Sequence, residues 1–172
     1  MKLHIPTSLH LAACGLLLIL SACKGGDDTT LTQPSEQETL VGSKEKPDWQ
    51  NPAEQDMTAS MTALVRVNLS LSYPKQMEAL GNVATNGQIA GPDDMLAAFS
   101  GETCLGVATF VDGLFFLYIS KPPKGVPLTI ELRYYSAKLK NIFVAKEACT
   151  FVADTCLGSA SVPLEPKFYL TY

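Results

Sequence analysis

The residues that carry most enzymatic chemistry are scarce in this chain of 172 residues. Its two histidines, His4 and His10, both lie in the N-terminal stretch that we expect to be removed. Without them the rest of the chain lacks the base that activates a serine or cysteine nucleophile and the usual imidazole ligand of zinc. It also lacks a glycine-rich phosphate-binding loop. The sequence therefore predicts no catalytic residue, no cofactor and no metal site.

Acidic side chains are the remaining candidates for catalysis. Asp93, Asp94, Glu102, Asp112 and Asp154 fall at predicted turns, which could meet at one end of a β-sandwich. Two carboxylates about 5–9 Å apart suffice for glycoside hydrolysis, and turn carboxylates with carbonyl oxygens also suit calcium. Each of these residues equally suits the capping of a turn, and this is the interpretation we favour.

Three of the five cysteines, Cys104, Cys149 and Cys156, lie in the part of the chain that we expect to fold. An oxidising compartment allows one disulfide and one free thiol among them. Cys149 and Cys156 can bridge only across a sharp turn, because disulfide-linked Cα atoms lie about 5.5 Å apart. A bridge from Cys104 to either one is at least as well supported, so the pairing stays open.

The N-terminal residues have the three parts of a secretory signal. Lys2 and His4 form a basic start, residues 9–20 are almost wholly apolar, and Ser21-Ala22 are the small residues that precede a cleavage site. The apolar run of about 12 residues is too short to span a bilayer, which takes about 20. The sequence predicts a signal peptide over residues 1–22.

The cleavage region, Leu20-Ser21-Ala22-Cys23, resembles the lipobox of bacterial lipoproteins. The resemblance implies cleavage before Cys23 and a diacylglycerol on its sulfur, with palmitate-like chains. Each buried methylene contributes about 0.8 kcal/mol, so two acyl chains hold a protein durably on a membrane. An ordinary signal peptide with a chance cysteine is the alternative.

The residues after Cys23 indicate to which membrane surface the lipoprotein would be exported. Lys24, followed by Asp27 and Asp28, is similar to the surface-export signal of Bacteroidetes lipoproteins, although a merely solvated tether has the same composition. We expect a lipid-anchored protein of the outer membrane, on the cell surface, with the lipid bilayer as its first partner.

Residues 24–56 are rich in small and polar residues and hold eight acidic residues against three lysines. Such a composition buries too little apolar surface to offset the entropy of ordering, so it predicts a flexible acidic tether. We place the tether at residues 23–48 and the folded domain at 49–172. Trp49, the only tryptophan, suits both packing at the domain edge and stacking on a glycan.

Apolar and polar residues alternate from 57 to 73, with Leu64 as the one exception. Successive strand residues point to opposite faces, so this pattern predicts a long strand that is bent or broken. Residues 74–94, with a helical turn after Pro74, are expected to form an exposed insertion. Turn residues such as Asp112-Gly113 separate seven further predicted strands, at 95–100, 104–110, 114–120, 126–135, 139–145, 149–152 and 168–171. The whole pattern predicts an all-β, antiparallel sandwich of about seven to eight strands.

A family resemblance covers most of this domain, from about residue 49 to 165. It is carried by residues 94–108, DMLAAFSGETCLGVA, which are similar to a segment D-x-L-A-A-F-x-G-x-x-C-R-G-V-A of secreted and surface modules of Bacteroidetes. The departures are Leu105, where Arg is usual, and the insertion at 74–94. The resemblance implies an immunoglobulin-like sandwich on the cell surface and supplies no reaction.

Arg133 and Tyr135 lie on the polar side of the strand predicted at 126–135, opposite the alternating apolar residues. We expect an exposed tyrosine beside a cation, which suits sugar stacking or a protein contact and equally suits a cross-strand pair. With Trp49, these two residues are the candidate ligand-binding residues.

Three functional hypotheses follow from these residues. The leading one is a non-enzymatic surface module that binds a glycan or an envelope or host protein. The second is a structural or adhesive subunit that pairs through an edge strand at 168–172. The third is a carboxylate-only glycoside hydrolase. Nucleic acid is not an expected partner, because the charges of the domain balance and form no basic stripe.

Overall fold

The computed structural model describes residues 42–53, 59–79 and 90–171. The predicted signal peptide, Cys23 and the tether as far as residue 41 lie outside these ranges, as do Met57 and residues 80–89 of the insertion. None of the helices in the described ranges is long and apolar enough to cross a bilayer.

Ten strands, one 3-10 turn and one short α-helix make up the described chain. The turn is Leu69–Leu71 and the helix, α1, is Pro74–Ala79. The strands are β1 Ser60–Val65, β2 Met95–Ser100, β3 Thr103–Val107, β4 Thr109–Val111, β5 Leu114–Ser120, β6 Thr129–Ser136, β7 Asn141–Ala145, β8 Cys149–Thr150, β9 Cys156–Leu157 and β10 Phe168–Leu170.

The strands form two sheets around one hydrophobic core. The four-stranded sheet has the order β4-β5-β1-β9, and the six-stranded sheet has the order β10-β7-β6-β2-β3 with β8 beside β6. All neighbouring strands are antiparallel except β1 and β9. The predicted all-β sandwich is confirmed.

Alternating apolar residues build the core, as the sequence pattern requires. The alternation that begins in the predicted first strand keeps its odd-numbered side chains buried through Leu69, but the strand itself ends at Val65. The predicted break is the 3-10 turn, which the bond from Ser72 N to Leu69 O (3.0 Å) closes. The largest side chains buried in the core are those of Met61, Leu69, Met77, Leu96, Leu105, Phe115, Leu117, Ile119, Tyr134, Phe143 and Phe168.

Several predicted boundaries coincide with the structure and others do not. Strands β2 and β5 have the expected limits, while the strand expected at 104–110 divides into β3 and β4 because the chain changes sheets at Ala108. Strand β9 was missed. The insertion expected to be exposed includes Met77 of α1, which is fully buried.

The hairpin predicted at Asp112-Gly113 joins β4 to β5. Both residues have positive φ, 49° and 80°. Two-residue hairpin turns of this kind match the twist of the strands, and aspartate and glycine tolerate the left-handed region best. The turn aligns β5 so that Phe115, Leu117 and Ile119 face the core.

Candidate functional site

Residues 42–51 lie across the outer face of the six-stranded sheet, and we call this segment the strap. At one end Gly42 N donates to Leu139 O (2.9 Å), and at the other Asn51 Oδ1 accepts a bond from Val107 N (2.7 Å). Residues 42–48, which composition assigned to the flexible tether, therefore belong to the folded domain.

Trp49 packs at the edge of the domain. Its ring meets Phe99 of β2 edge to face, with centroids 5.5 Å apart, and the guanidinium of Arg133 lies 4.3 Å from the centroid of the Phe99 ring. Phe99 faces outward from the sheet yet is only 4% exposed, because these two side chains cover it. Trp49 itself stays partly exposed.

Ion pairs fix the side chain of Arg133. Its Nε donates to Glu131 Oε1 (2.8 Å), and its Nη atoms donate to Gly101 O (2.9 Å) and to both oxygens of Glu102 (3.2 Å each). Burial opposes its charge, but the hydrogen bonds and charges of Glu102 and Glu131 prevail and raise its pKa. The pKa of Glu102 is lowered by its hydrogen bonds with Arg133 and by the positive charge. The guanidinium of Arg133 is thus held in one position, and most of its N–H donors are already bonded to Glu131, Glu102 and Gly101.

A groove of about 480 Å³ opens on this face. We call it the Trp49 groove. Ile142 and Val144 of β7 form its apolar floor, and its other lining residues are Trp49, Glu131, Arg133 and Thr171. An aromatic ring, a flat apolar floor and a few polar groups are the usual components of a small-ligand site. The structure therefore brings two of the three candidate residues, Trp49 and Arg133, to one groove.

The third candidate, Tyr135, was wrongly predicted to be exposed. It lies on the outer face of β6 as expected, but it is only 4% exposed because the strap covers it. Its hydroxyl donates to the carbonyl oxygen of Lys44 at 3.3 Å. The exposure of Tyr135 was predicted from its place on the polar side of β6, on the assumption that nothing covers that side. The strap, some ninety residues earlier in the chain, does cover it. Tyr135 supports the strap instead of lining the groove.

The acidic residues considered for catalysis make separate contacts. Asp94 is buried, where it accepts bonds from Tyr134 Oη, Ala137 N and Gly91 N, each at 2.7 Å. Burial and the Asp94 charge raise the pKa of Tyr134 well above its ordinary value. Asp94 is thus a structural acceptor.

Three of the other four carboxylates have contacts or turn positions of their own. Asp112 and Asp154 occupy turn positions with positive φ, and Glu102 pairs with Arg133. Within residues 42–53, 59–79 and 90–171, no group of three acidic, histidine or cysteine side chains is placed to hold a metal ion.

The three thiols of the domain are free. Cys104 and Cys149 are partly buried on β3 and β8, and Cys156 is exposed on β9, in the opposite sheet. Burial raises the pKa of the thiols of Cys104 and Cys149. Both thiols are therefore protonated near neutral pH, which makes them weak nucleophiles.

The edge strand proposed for pairing with another chain is already capped. Two outward-directed N–H groups of β10, those of Phe168 and Leu170, donate to Ser72 Oγ (3.0 Å) and to Tyr73 Oη (2.7 Å). Strand β10 is an edge strand, as expected at 168–172, but among the described residues 168–171 these two N–H groups are not open, because residues that follow β1 supply their acceptors. Tyr172 lies outside the described residues.

The hairpin of β2 and β3 carries the segment on which the family resemblance rests. Residues of this segment stabilise the fold. Asp94 accepts hydrogen bonds from two turns, and Phe99 packs beneath Trp49. Gly106 lies against the carbonyl oxygen of Tyr118, which leaves no space for a side chain. Leu105, which stands where the resemblance has Arg, is buried in the core.

A second surface was missed by sequence reasoning. Phe116 and Tyr118 point outward from β5, with their rings 5.0 Å apart and exposed by 37% and 38%. The signal was present, since β5 is apolar at nearly every position and not at every second one. We call this surface the aromatic face and define it by seven outward-facing residues of β1, β4 and β5, namely Thr62, Leu64, Thr109, Val111, Leu114, Phe116 and Tyr118; the paired Ser60 and Ser120 occupy the remaining outward positions.

Comparisons with protein-family models, with curated proteins and with solved structures found no match. The functional argument consequently depends on the geometry of the Trp49 groove and of the aromatic face. These surfaces lie on different sheets, so they can be altered independently.

Proposed function

We propose that the protein is a membrane-anchored surface lipoprotein whose sandwich domain is a non-catalytic module that binds a glycan in the Trp49 groove. One observation carries the binding proposal. A partly exposed tryptophan lines an open groove of about 480 Å³ together with a carboxylate and a hydroxyl group. The predicted signal peptide and the lipobox-like residues 20–23 support the anchor.

The groove suits the two kinds of surface that a sugar ring presents. The C–H face of a pyranose is apolar and packs on aromatic rings, while its hydroxyl groups need carboxylate or hydroxyl partners. Trp49 and Val144 supply the first kind of contact. Glu131, which uses Oε1 for Arg133, supplies the second. The hydroxyl of Thr171 donates to Ile142 O (3.1 Å) and accepts from Lys44 Nζ, so toward a ligand it can act only as an acceptor.

The groove is formed before any ligand arrives. Arg133 is fixed by Glu131, Glu102 and Gly101, and Lys44 Nζ donates to the hydroxyl oxygen of Thr171 at 3.2 Å. Side chains that are already ordered lose little entropy on binding, so even a shallow groove gains affinity from its rigidity. The bond of Lys44 also ties the strap to the chain that follows β10.

A glycan array tests the proposal on soluble protein from residue 24 onward, which retains every described residue. We expect binding to a restricted glycan class and loss of at least tenfold in affinity in Glu131→Gln and in Trp49→Phe. Glu131→Gln removes the charge but keeps an oxygen for Arg133 Nε. The matched control, Glu147→Gln, alters an exposed carboxylate outside the groove and should bind normally.

Two outcomes would reject the glycan proposal. One is the absence of binding across the array, and the other is binding that both groove variants retain. Thermal unfolding of each variant distinguishes a lost contact from a lost fold. The anchor has its own test: labelled palmitate should enter the wild-type chain expressed in a bacterial host and should not enter Cys23→Ala.

The alternative function is that of a structural or adhesive component. The edge strand at 168–172 first suggested it, but the aromatic face now supports it better. The capped β10 offers little to an incoming strand. The aromatic face, in contrast, leaves large apolar side chains exposed on an ordered sheet.

A further inference from the structure

We propose that the Trp49 groove selects glycans that carry no carboxylate, sulfate or phosphate group. The inference rests on the proposed function, because it names the class of glycan that the same groove holds. It is carried by the way in which the polar atoms of the groove are already bonded. Besides the indole of Trp49, the polar side chains of the lining are those of Glu131, Arg133 and Thr171.

Two of these side chains can only accept a hydrogen bond from a ligand. Glu131 is 39% exposed and binds Arg133 Nε through Oε1, which leaves Oε2 for a ligand. The hydroxyl of Thr171 gives its proton to Ile142 O, so it too is left as an acceptor. Both groups require a donor on the ligand. Sugar hydroxyls can donate, whereas ionised carboxylate and sulfate groups only accept.

The positive charge of Arg133 is already shared by two carboxylates. Its Nε donates to Glu131, its Nη atoms donate to Glu102 and Gly101, and these four hydrogen bonds leave one N–H group, on Nη1. One side of the guanidinium lies over the ring of Phe99, 4.3 Å from its centroid. An anionic group on a ligand would therefore meet a cation that is already paired, and it would lie beside the carboxylate of Glu131.

The strap adds no net positive charge to the groove. Its charged residues are two of each sign, namely Lys44, Glu45, Lys46 and Asp48. Lys44, which lies beside the groove, uses its Nζ for the carbonyl oxygen (3.3 Å) and the hydroxyl oxygen (3.2 Å) of Thr171. With Arg133, Glu131 and Glu102 included, the three positive and four negative charges sum to −1. This balance opposes an anionic ligand and is indifferent to a neutral one.

A sugar without anionic groups matches the bonding capacity of the groove. Its hydroxyl groups can donate to Glu131 Oε2 and to Thr171 Oγ1, and they can accept from the remaining Nη1 proton of Arg133 or from the indole N–H of Trp49. An anionic group would have to give up its hydration without gaining an unpaired cation in return, which is costly. The groove thus discriminates by its excess of acceptors and by its charge.

Matched pairs of glycans on the same array test the selection with soluble protein from residue 24 onward. Cellotriose, maltotriose and mannotriose are each paired with the form oxidised at C6 to the uronate, and lactose is paired with 6′-sulfolactose. We expect the glycans bound on the array to be uncharged, and the neutral member of a pair to bind about tenfold more tightly or better than its anionic partner. Binding of a neutral glycan should change little between about 0.05 M and about 0.5 M NaCl, because no ion pair forms.

Two variants distinguish charge selection from damage to the groove. In Glu131→Gln the amide oxygen can keep the bond to Arg133 Nε, while the amide nitrogen replaces Oε2 and donates, so neutral glycans should bind more weakly and anionic glycans more tightly. Glu102→Gln alters a side chain that is 90% exposed and removes one of the two carboxylates from Arg133, so it should strengthen the binding of anionic glycans alone. The control Glu147→Gln should change neither affinity.

The possible failures of the two proposals are distinguishable. Anionic glycans that bind as tightly as neutral ones, or that alone bind, would overturn the charge selection and leave glycan binding in place. An unchanged ratio of the two affinities in both Glu131→Gln and Glu102→Gln would also overturn the selection. The absence of binding to every glycan on the array would reject the proposed function and this inference with it. Thermal unfolding verifies that each variant is folded.

Discussion

The strap covers part of the outer face of the six-stranded sheet, whereas no segment of the described residues crosses the outer face of the four-stranded sheet in the same way. Phe99 and Tyr135, which point outward from the covered face, are each only 4% exposed. Phe116 and Tyr118 point outward from the bare face and keep more than a third of their surface in solvent. Outward-facing aromatic residues therefore stabilise the fold on one sheet and remain available for binding on the other.

The largest expected difference between the two faces comes from truncating matched phenylalanines. Phe99→Ala should lower the free energy of unfolding by about 3–4 kcal/mol, because it leaves a cavity beneath Trp49 and Arg133. Phe116→Ala should cost less than about 1 kcal/mol, since its ring is already partly solvated. Urea unfolding of both variants measures the difference, and equal losses would contradict the distinction between the faces.

Removal of the strap should have the next largest effect. A chain that begins at residue 49 loses the backbone bonds of Gly42 and Lys44 and exposes Tyr135, so we expect a loss of about 2–3 kcal/mol. A chain that begins at residue 42 is the control and should match the longer protein. If the two chains unfold at the same urea concentration, the strap does not stabilise the sheet.

Two tyrosine hydroxyls provide a finer comparison. Tyr135→Phe removes the bond to the carbonyl oxygen of Lys44 and should cost about 1 kcal/mol, the usual contribution of one hydrogen bond. Tyr118→Phe, on the bare face, should change the free energy of unfolding by less than about 0.5 kcal/mol. Unfolding in urea again gives both values, and a larger loss for Tyr118→Phe would contradict the assignment of Tyr135 as the strap's support.

The smallest expected effect is on the pH dependence of stability. Because the pKa of Glu102 is lower in the folded protein than its ordinary value of 4.5, the unfolded chain binds more protons near that pH. Its contribution to stability is complete above pH 4.5 and is lost as the pH falls through the folded pKa. Unfolding midpoints below pH 5 should therefore fall less steeply with acid in Glu102→Gln than in the wild type. An unchanged slope would mean that the exposed ion pair with Arg133 is fully screened.

Local patterns were sufficient for much of the fold. Alternation places Met61, Ala63 and Val65 in the core, and Asp112-Gly113 specifies a hairpin because few other residues accept the required φ. The same patterns gave the limits of β2 and β5, since a strand with strong turn signals at both ends has little freedom in where it stops.

The candidate site was only partly accessible from sequence. Trp49 was identified as a residue at the domain edge because it is the only tryptophan and ends the polar tether, and Arg133 because it lies on the polar side of β6. That the two residues would share a groove could not be derived, since the groove depends on β7 and on Thr171 near the end of the chain.

The sequence alone determined the all-β class of the domain, the inward faces of its long strands and the lack of histidine after residue 10. Only the tertiary structure decided which outward faces are covered. Tyr135 is buried by Lys44, 91 residues away, and the edge of β10 is capped by Ser72 and Tyr73, 96 and 97 residues away. Periodicity shows which way a side chain points from its own strand, but its exposure depends on where distant segments of the chain pass.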